Sequence, residues 1–302
     1  MAESTAVVEG LCFRYGSGPP VLDGIEFAAS PGEVVGLLGR NGSGKTTLLR
    51  LLAGLIQATA GQLATSHLPT VVFDRTPFQE SLSGRENLLL GLALRGRGEL
   101  AEDVPRWLAA IDLSDDADRP VAEYSLGMRR RLAMVEALSC GPQLTLLDEP
   151  TLGLDPQGRH VLGELLRASA SDGGTILIAT NDAVFAEREC SRIVILGSGQ
   201  ILADGPSSDL IAALNAPTII EVELDHDPPS TTPPAGLTVI STTLESLVVT
   251  GASASSQLPE LCAWLSEAGG SVRAIKIREP GLDDVFHRLT GTRLRSEDGE
   301  MR

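Results

Sequence analysis

Residues Gly39-Arg40-Asn41-Gly42-Ser43-Gly44-Lys45-Thr46 match the pattern GxxxxGK[ST] at every fixed position. The chemistry open to such a segment is anion binding. Its glycines let the backbone curl until successive N–H groups face one oxygen-rich ligand. A helix opening at Lys45 would aim the positive end of its dipole at the same point. Lys45 adds a full charge within reach of terminal phosphates, and the Thr46 hydroxyl is a magnesium ligand. Of the 24 basic residues only Lys45 and Lys276 are lysines, which singles Lys45 out further.

Two more segments carry chemistry. Leu144-Thr145-Leu146-Leu147 is an apolar run that ends in Asp148-Glu149-Pro150-Thr151. A carboxylate at a strand tip, Asp148, can hold magnesium directly or through water. Glu149, one residue on, can polarise an attacking water as general base. Taken alone the pair is equally well read as solvated acids at a strand end; the upstream phosphate loop tips the reading to chemistry. Tyr124-Ser125-Leu126-Gly127-Met128 precedes three arginines, Arg129, Arg130 and Arg131. Ser125 can cap a helix beginning near Met128. The arginines read as the exposed residues of a helix start.

These segments need a scaffold. Short apolar runs at 7–13, 24–28, 34–38, 71–73, 144–147, 175–179 and 193–196 predict strands, several apolar throughout and so buried on both faces. Helical periodicity intervenes at 45–55, 85–94, 104–111, 128–138, 156–171 and 182–190. Strand–helix alternation predicts an α/β fold with a largely parallel sheet. The composition shifts after Leu214. Strands at 219–224, 237–241, 246–250 and 272–277, with helices at 257–267 and 282–289, predict a small α+β domain over 215–291. It contains a proline-rich loop at 225–236, and a frayed polar tail is expected over 292–302.

Composition excludes several classes. At 302 residues, 42% apolar and 21% charged, the chain is long and apolar enough for a core and too apolar for wholesale disorder. Aromatics are only 3%, so that core is aliphatic. A net charge of −16 argues against nucleic acid as a partner. No apolar run is long enough to span a bilayer, and no secretory signal is expected. Cys12, Cys140, Cys190 and Cys262 are far apart and read as buried free thiols. His226 and His287 read as surface residues.

The order of phosphate loop, Ser-x-Gly helix start and apolar run ending in DEPT resembles the nucleotide-binding subunit of ATP-binding cassette (ABC) transporters, over about residues 5–212. The wording YSLGMRRRL, with Leu126 for the usual second glycine, is similar to the exporter branch that works with separate ABC-2-type permeases, drug-resistance and natural-product exporters among them. The resemblance implies a P-loop ABC ATPase domain over 1–214, with a RecA-like core, a helical subdomain at about 84–140 and an antiparallel β subdomain, followed by the accessory α+β domain. It implies ATP and Mg2+ as ligands. Gly39, Asn41, Gly42, Ser43, Gly44, Lys45, Thr46 and Thr47 would hold the nucleotide, with Tyr15 stacked on adenine. Thr46 and Asp148 would hold the metal. Glu149 would be catalytic. Two subunits, a homodimer, would sandwich ATP, so that Ser125 and Gly127 face the partner's nucleotide and Asp155, in the D-loop Leu154-Asp155, lies at the dimer interface.

Three positions depart from the family pattern. Asn181 stands where the family carries a histidine that touches the γ-phosphate; an amide can donate a hydrogen bond but cannot shuttle a proton. Asp74 takes the place of a glutamine that reaches metal and water, with Gln79, further along the loop, the other candidate. Arg130 replaces a glutamine common in the signature helix and reads as a surface substitution. Phe78 reads either as local core or as part of a groove for a permease helix. The resemblance thus implies an ATPase on the cytoplasmic face of the membrane, peripheral through its permease and exporting an unspecified substrate. A low-turnover or regulatory cassette, or the weaker half of a heterodimer, stays open. A soluble ABC protein acting on ribosomes or DNA fits less well, because the chain has one cassette and an acidic balance.

Overall fold

The computed structural model describes residues 4–73, 78–139, 144–225, 232–243, 245–251, 254–267 and 271–294. Asp74, Cys140, residues 226–231 of the proline-rich loop with His226, and the tail from 295 lie outside the described residues. The chain divides into two compact units, Met1–Ser207 with Phe286–Arg302, and Ser208–Val285. That division precedes Leu214, the expected end of the first domain, and it places the end of the last helix with the first unit. The composition shift marks a change of sequence; the unit boundary is set by packing.

In chain order the first unit holds β1 (Ala6–Arg14), β2 (Pro20–Ala29), β3 (Val34–Leu38), α1 (Lys45–Leu52), β4 (Ala60–Thr65), β5 (Thr70–Val72), α2 (Gly84–Leu94), α3 (Val104–Ala110), α4 (Leu126–Ser139), β6 (Leu144–Asp148), α5 (Pro156–Ser171), β7 (Thr175–Thr180), α6 (Ala183–Glu189), β8 (Arg192–Gly197) and β9 (Gln200–Gly205). A six-stranded sheet runs in the order β5-β6-β7-β3-β8-β9. It is parallel except for β9, which pairs antiparallel with β8. Every residue of β3, β6 and β7 is buried, as their largely apolar character predicts, and the polar Thr145, Asp148, Thr175 and Thr180 are buried with them. A second sheet, β2-β1-β4, is antiparallel. Its inner residues, Leu11, Leu22 and Ile25, share one core with Leu37, Leu48 and Leu146.

α2, α3 and α4 form a separate helical cluster around Leu92, Trp107, Ile111 and Val135. Phe78 packs against this cluster, partly buried. The capping box at Ser83 and Glu86 starts α2 by satisfying two orphan amides reciprocally.

The second unit is built on β10 (Thr218–Leu224), β11 (Thr238–Thr242), β12 (Ser246–Gly251), α8 (Leu258–Glu267) and β13 (Val272–Arg278), after a short α7 (Ser207–Ala212) and before α9 (Leu282–Thr290). Its sheet, β11-β12-β10-β13, is antiparallel throughout. Val222, Leu224, Leu247 and Val249 bury one face of it with Leu261 and Leu265 of α8.

Two strands were not legible in the sequence. β4, AGQLAT, is mostly exposed and lacks alternation. β9 follows a two-residue turn in which Ser198 and Gly199 both have positive φ, the conformation that matches strand twist in a hairpin. At the other boundary, α1 stops at Leu52 rather than continuing to residue 55, because Gly54 turns left-handed with φ 69°.

Candidate active site

The phosphate loop joins the buried end of β3 to α1. Two of its glycines are there for reasons visible in the structure. A Cβ on Gly39 would lie 2.5 Å from the Leu196 carbonyl and 2.6 Å from Ser43 Oγ. Gly44 holds φ at 108°, and a Cβ there would lie 2.6 Å from Leu22 Cδ2. Both positions therefore exclude any side chain. Gly39 N–H bonds to the Thr180 carbonyl on β7, and Ser43 N–H to the Arg40 carbonyl, so the loop is pinned at its start and closed on itself. Asn41 and Gly42 form its exposed rim.

Lys45 is buried at 5% exposure. Its ammonium donates to the carbonyls of Gly39 at 2.6 Å and Arg40 at 3.2 Å, and it lies 3.5 Å from Glu149 Oε1. Burial pushes the Lys45 pKa below the usual lysine range, and the Glu149 charge opposes that shift. Thr46 Oγ1 donates to Asp148 at 2.9 Å and 3.1 Å from its two oxygens. Burial pushes the Asp148 carboxyl up; the Thr46 hydrogen bond and the charges of Lys45, Arg50 and Arg130 pull it down.

Glu149 sits just past β6 with φ 46°, a left-handed conformation that costs a non-glycine residue about 1–2 kcal/mol. Its N–H bonds to the Ala179 carbonyl at 2.8 Å. Its Oε2 accepts from Asn181 N–H at 3.3 Å and Thr180 Oγ1 at 3.4 Å. Burial raises its pKa, against the pull of Lys45. A carboxylate raised in this way is better matched to accepting a proton near neutral pH. Asn181 is half-buried and meets Glu149 through its backbone N–H.

Tyr15 is half exposed, stands edge-on to Phe13 and approaches Thr47 Oγ1 to 3.4 Å, which lowers its pKa. An exposed ring beside the loop can offer its face to a base.

The remaining positions lie elsewhere. Ser125 is exposed and its Oγ accepts from Met128 N–H at 3.2 Å, so α4 opens at Leu126 with the serine as its cap. Gly127 lies near the Gly153 carbonyl, and Asp155 caps α5 by accepting from Gly158 N–H at 2.7 Å. Among the described residues no hydrogen bond or ion pair joins Ser125, Gly127 or Asp155 to the phosphate loop.

The arginines contradict the sequence reading. Arg130 is buried at 6% exposure and donates to the Glu149 carbonyl at 2.6 Å. Arg129 pairs with Glu80 at 3.0 Å, and Arg131 donates to the Ile111 carbonyl at 2.8 Å. A signal for Arg130 was present: at helical spacing it continues the buried stripe of Ala133, Met134 and Ala137.

The site suits a nucleotide with magnesium on two observations. Ser43 Oγ is buried with no hydrogen-bond partner, so the loop holds an unused donor. Among the described residues no cluster of three or more His, Cys, Asp or Glu can cage a metal. Thr46 and Asp148 would thus supply a minority of the ligands, with phosphate oxygens and water completing the shell, as magnesium prefers.

A parallel sheet with a phosphate loop after one strand and an acidic pair after another is the architecture of a phosphate-loop nucleotide hydrolase. Comparison narrows the class. The family described as "ABC transporter" matches residues 22–152. The daunorubicin resistance ATP-binding protein DrrA3 of Streptomyces coeruleorubidus is 32% identical over 96% of this chain and 97% of its own length. The Nod factor export ATP-binding protein I of Rhizobium meliloti is 34% identical over 91% of this chain and 85% of its own. A solved ATP-binding subunit of an ABC transporter superposes with a TM-score of 0.65 at 28% identity, covering 70% of this chain and 93% of that one. The chain belongs to the ATP-binding subunits of ABC transporters: it binds ATP and is an ATPase. No described helix is long and apolar enough to cross a membrane.

Proposed function

We propose that this chain is the ATP-hydrolysing subunit of an exporter, working with magnesium and a separate membrane permease of the ABC-2 type. Two copies close around ATP, and the chain sits on the cytoplasmic face of the membrane through its permease. Support for export comes from the relatives named for daunorubicin resistance and Nod factor export. The observation that carries the enzymatic part is the meeting of loop and acids: Thr46 on both oxygens of Asp148, 102 residues away, and Lys45 beside Glu149.

In this reading the loop N–H groups and Lys45 hold the phosphates, and Thr46 and Asp148 would hold magnesium, which would supply neutralisation of charge on the transferred phosphoryl group. Tyr15 stacks on the base. Glu149 orients the attacking water and takes its proton. Ser125 and Gly127, at the N-terminus of α4, present a hydroxyl and backbone N–H groups to the nucleotide of the opposite subunit. Asp155 lies beside them at the dimer interface. ATP favours the closed dimer because only that state engages it from both sides, and hydrolysis releases it. Asp74, as a further metal or water ligand, completes the proposal. The domain assignment proposed with it is an ABC cassette to about residue 214 and an accessory domain to 291.

One position favours a second reading, a cassette of low turnover or the weaker half of a heterodimer. Asn181 meets Glu149 only through its backbone among the contacts described, and its amide cannot carry a proton. The test is ATP hydrolysis by the full chain, alone and with the membrane protein that co-isolates with it. Magnesium-dependent turnover that is lost in Glu149→Gln supports the exporter ATPase. ATP binding without turnover in either protein refutes it in favour of the regulatory cassette.

A further inference from the structure

Arginine is rarely buried, and a buried guanidinium needs acceptors placed for it. Arg130 has its Nη2 on the Glu149 carbonyl oxygen at 2.6 Å. The same oxygen accepts from Leu152 N–H at 3.2 Å, and the Glu149 N–H is held by Ala179 at 2.8 Å. The peptide units flanking the Glu149 Cα are thus held from α4, from the turn at Leu152 and from β7. The residue between them is, among the described residues of the site, the one non-glycine position with a left-handed backbone, φ 46°. Such conformations persist where the surroundings over-determine them. A charge-assisted bond is among the stronger ways to do so.

The bond matters for direction as well as stability. The Glu149 side chain leaves the same Cα whose φ is being held. A change of backbone angle there swings the carboxylate relative to Lys45, Thr180 and Asn181. Arg130 also lies on α4, which Ser125 caps, so the helix start and the acid turn are joined by one side chain.

We propose that Arg130 is a positioning residue for Glu149: its hydrogen bond to the Glu149 carbonyl fixes the turn that aims the carboxylate and ties that turn to the helix that Ser125 caps. The inference rests on the reading of Glu149 as the general base. Among the contacts described, Arg130 meets Glu149 through the backbone carbonyl and not through the carboxylate. Its removal therefore falls chiefly on the rate of the chemical step, with only a small effect on nucleotide affinity through the Arg130 charge that acts on Asp148.

The experiment is steady-state and single-turnover ATP hydrolysis by the full chain with its co-isolated membrane protein, for Arg130→Gln, Arg130→Lys, Glu149→Gln and the double variant Arg130→Gln/Glu149→Gln. Misplacing a catalytic group by a fraction of its bond length is costly, so kcat for Arg130→Gln is expected to fall about 10- to 100-fold. KM and the affinity for a fluorescent ATP analogue are expected to stay within about two-fold. Arg130→Lys keeps the charge but lacks the planar fork, and falls a few-fold, between the two. In the Glu149→Gln background, Arg130→Gln costs nothing more, because the group it positions is gone.

Wild-type kcat in Arg130→Gln, or a rise in KM with kcat unchanged, overturns the proposal. So does a further loss on top of Glu149→Gln equal to the loss seen alone. Should Arg130→Gln fail to fold, Arg130→Lys decides by the same split, wild-type kcat overturning the proposal. Wild-type turnover in Glu149→Gln overturns both this inference and the reading beneath it. An inactive Glu149→Gln beside a fully active Arg130→Gln overturns this inference alone.

Discussion

Glu149→Gln removes a charge and a proton acceptor while leaving the volume of the side chain almost unchanged, and the structure makes its two effects opposite in sign. The Gln amide oxygen can keep the bonds from Asn181 N–H and Thr180 Oγ1, now at 3.3 Å and 3.4 Å. What is lost is the base, worth about 10²–10⁴ in rate, or about 3–5 kcal/mol of barrier. Binding moves the other way. Before ATP arrives, Lys45 is engaged by Glu149 at 3.5 Å as well as by two loop carbonyls. A phosphate must compete with that carboxylate. Glu149 keeps 26% of its side chain exposed, so the pair is screened. Its worth is nearer ~1 kcal/mol than the several that its separation alone would suggest. Removing it should tighten ATP binding about five-fold. Phosphate release measures the first effect, and equilibrium binding of ATP with magnesium the second. Light scattering should show ATP-bound dimer accumulating in the variant. More than a tenth of wild-type kcat, or weaker ATP binding, would refute the reasoning.

Gly39→Ala must push the loop off Leu196 and Ser43, since its Cβ would lie 2.5–2.6 Å from them. Overpacking of that kind costs about 1–3 kcal/mol, so ATP affinity should fall tenfold or more by calorimetry. The pH profile follows from Glu149. Burial holds its pKa above the usual glutamate range, and only the ionised form accepts a proton. kcat should therefore be low in acid and rise with pH through a midpoint above that of free glutamate; an acid limb at the ordinary carboxylate value would contradict this. Asn181→His supplies a group that can carry a proton beside Glu149, and kcat should rise about tenfold if chemistry limits turnover. An unchanged rate would place the limit at another step.

Much of the site was legible in the sequence because its requirements are local. Gly44 must be a glycine because the loop holds its φ at 108°, and a Cβ on Gly39 would lie 2.6 Å from Ser43 Oγ, four residues on in the same loop. The runs of β3, β6 and β7 are largely apolar because both faces are covered. The order of loop, serine-glycine helix start and acidic pair then gave the fold class and the ATPase activity. What stayed hidden was set by partners distant in sequence. β4 has little apolar character, and pairing with β1 makes it a strand. Arg130 reads as one of three surface arginines until β6 ends beneath α4 and offers a carbonyl. Type and spacing determined that a lysine, a threonine, an aspartate and a glutamate were available for phosphoryl chemistry. That they meet at all was decided by the strand order, which sets β7 between β3 and β6 and carries both strand ends to the same edge of the sheet. Hydrogen-bond registry across parallel strands fixes distances that no local pattern encodes.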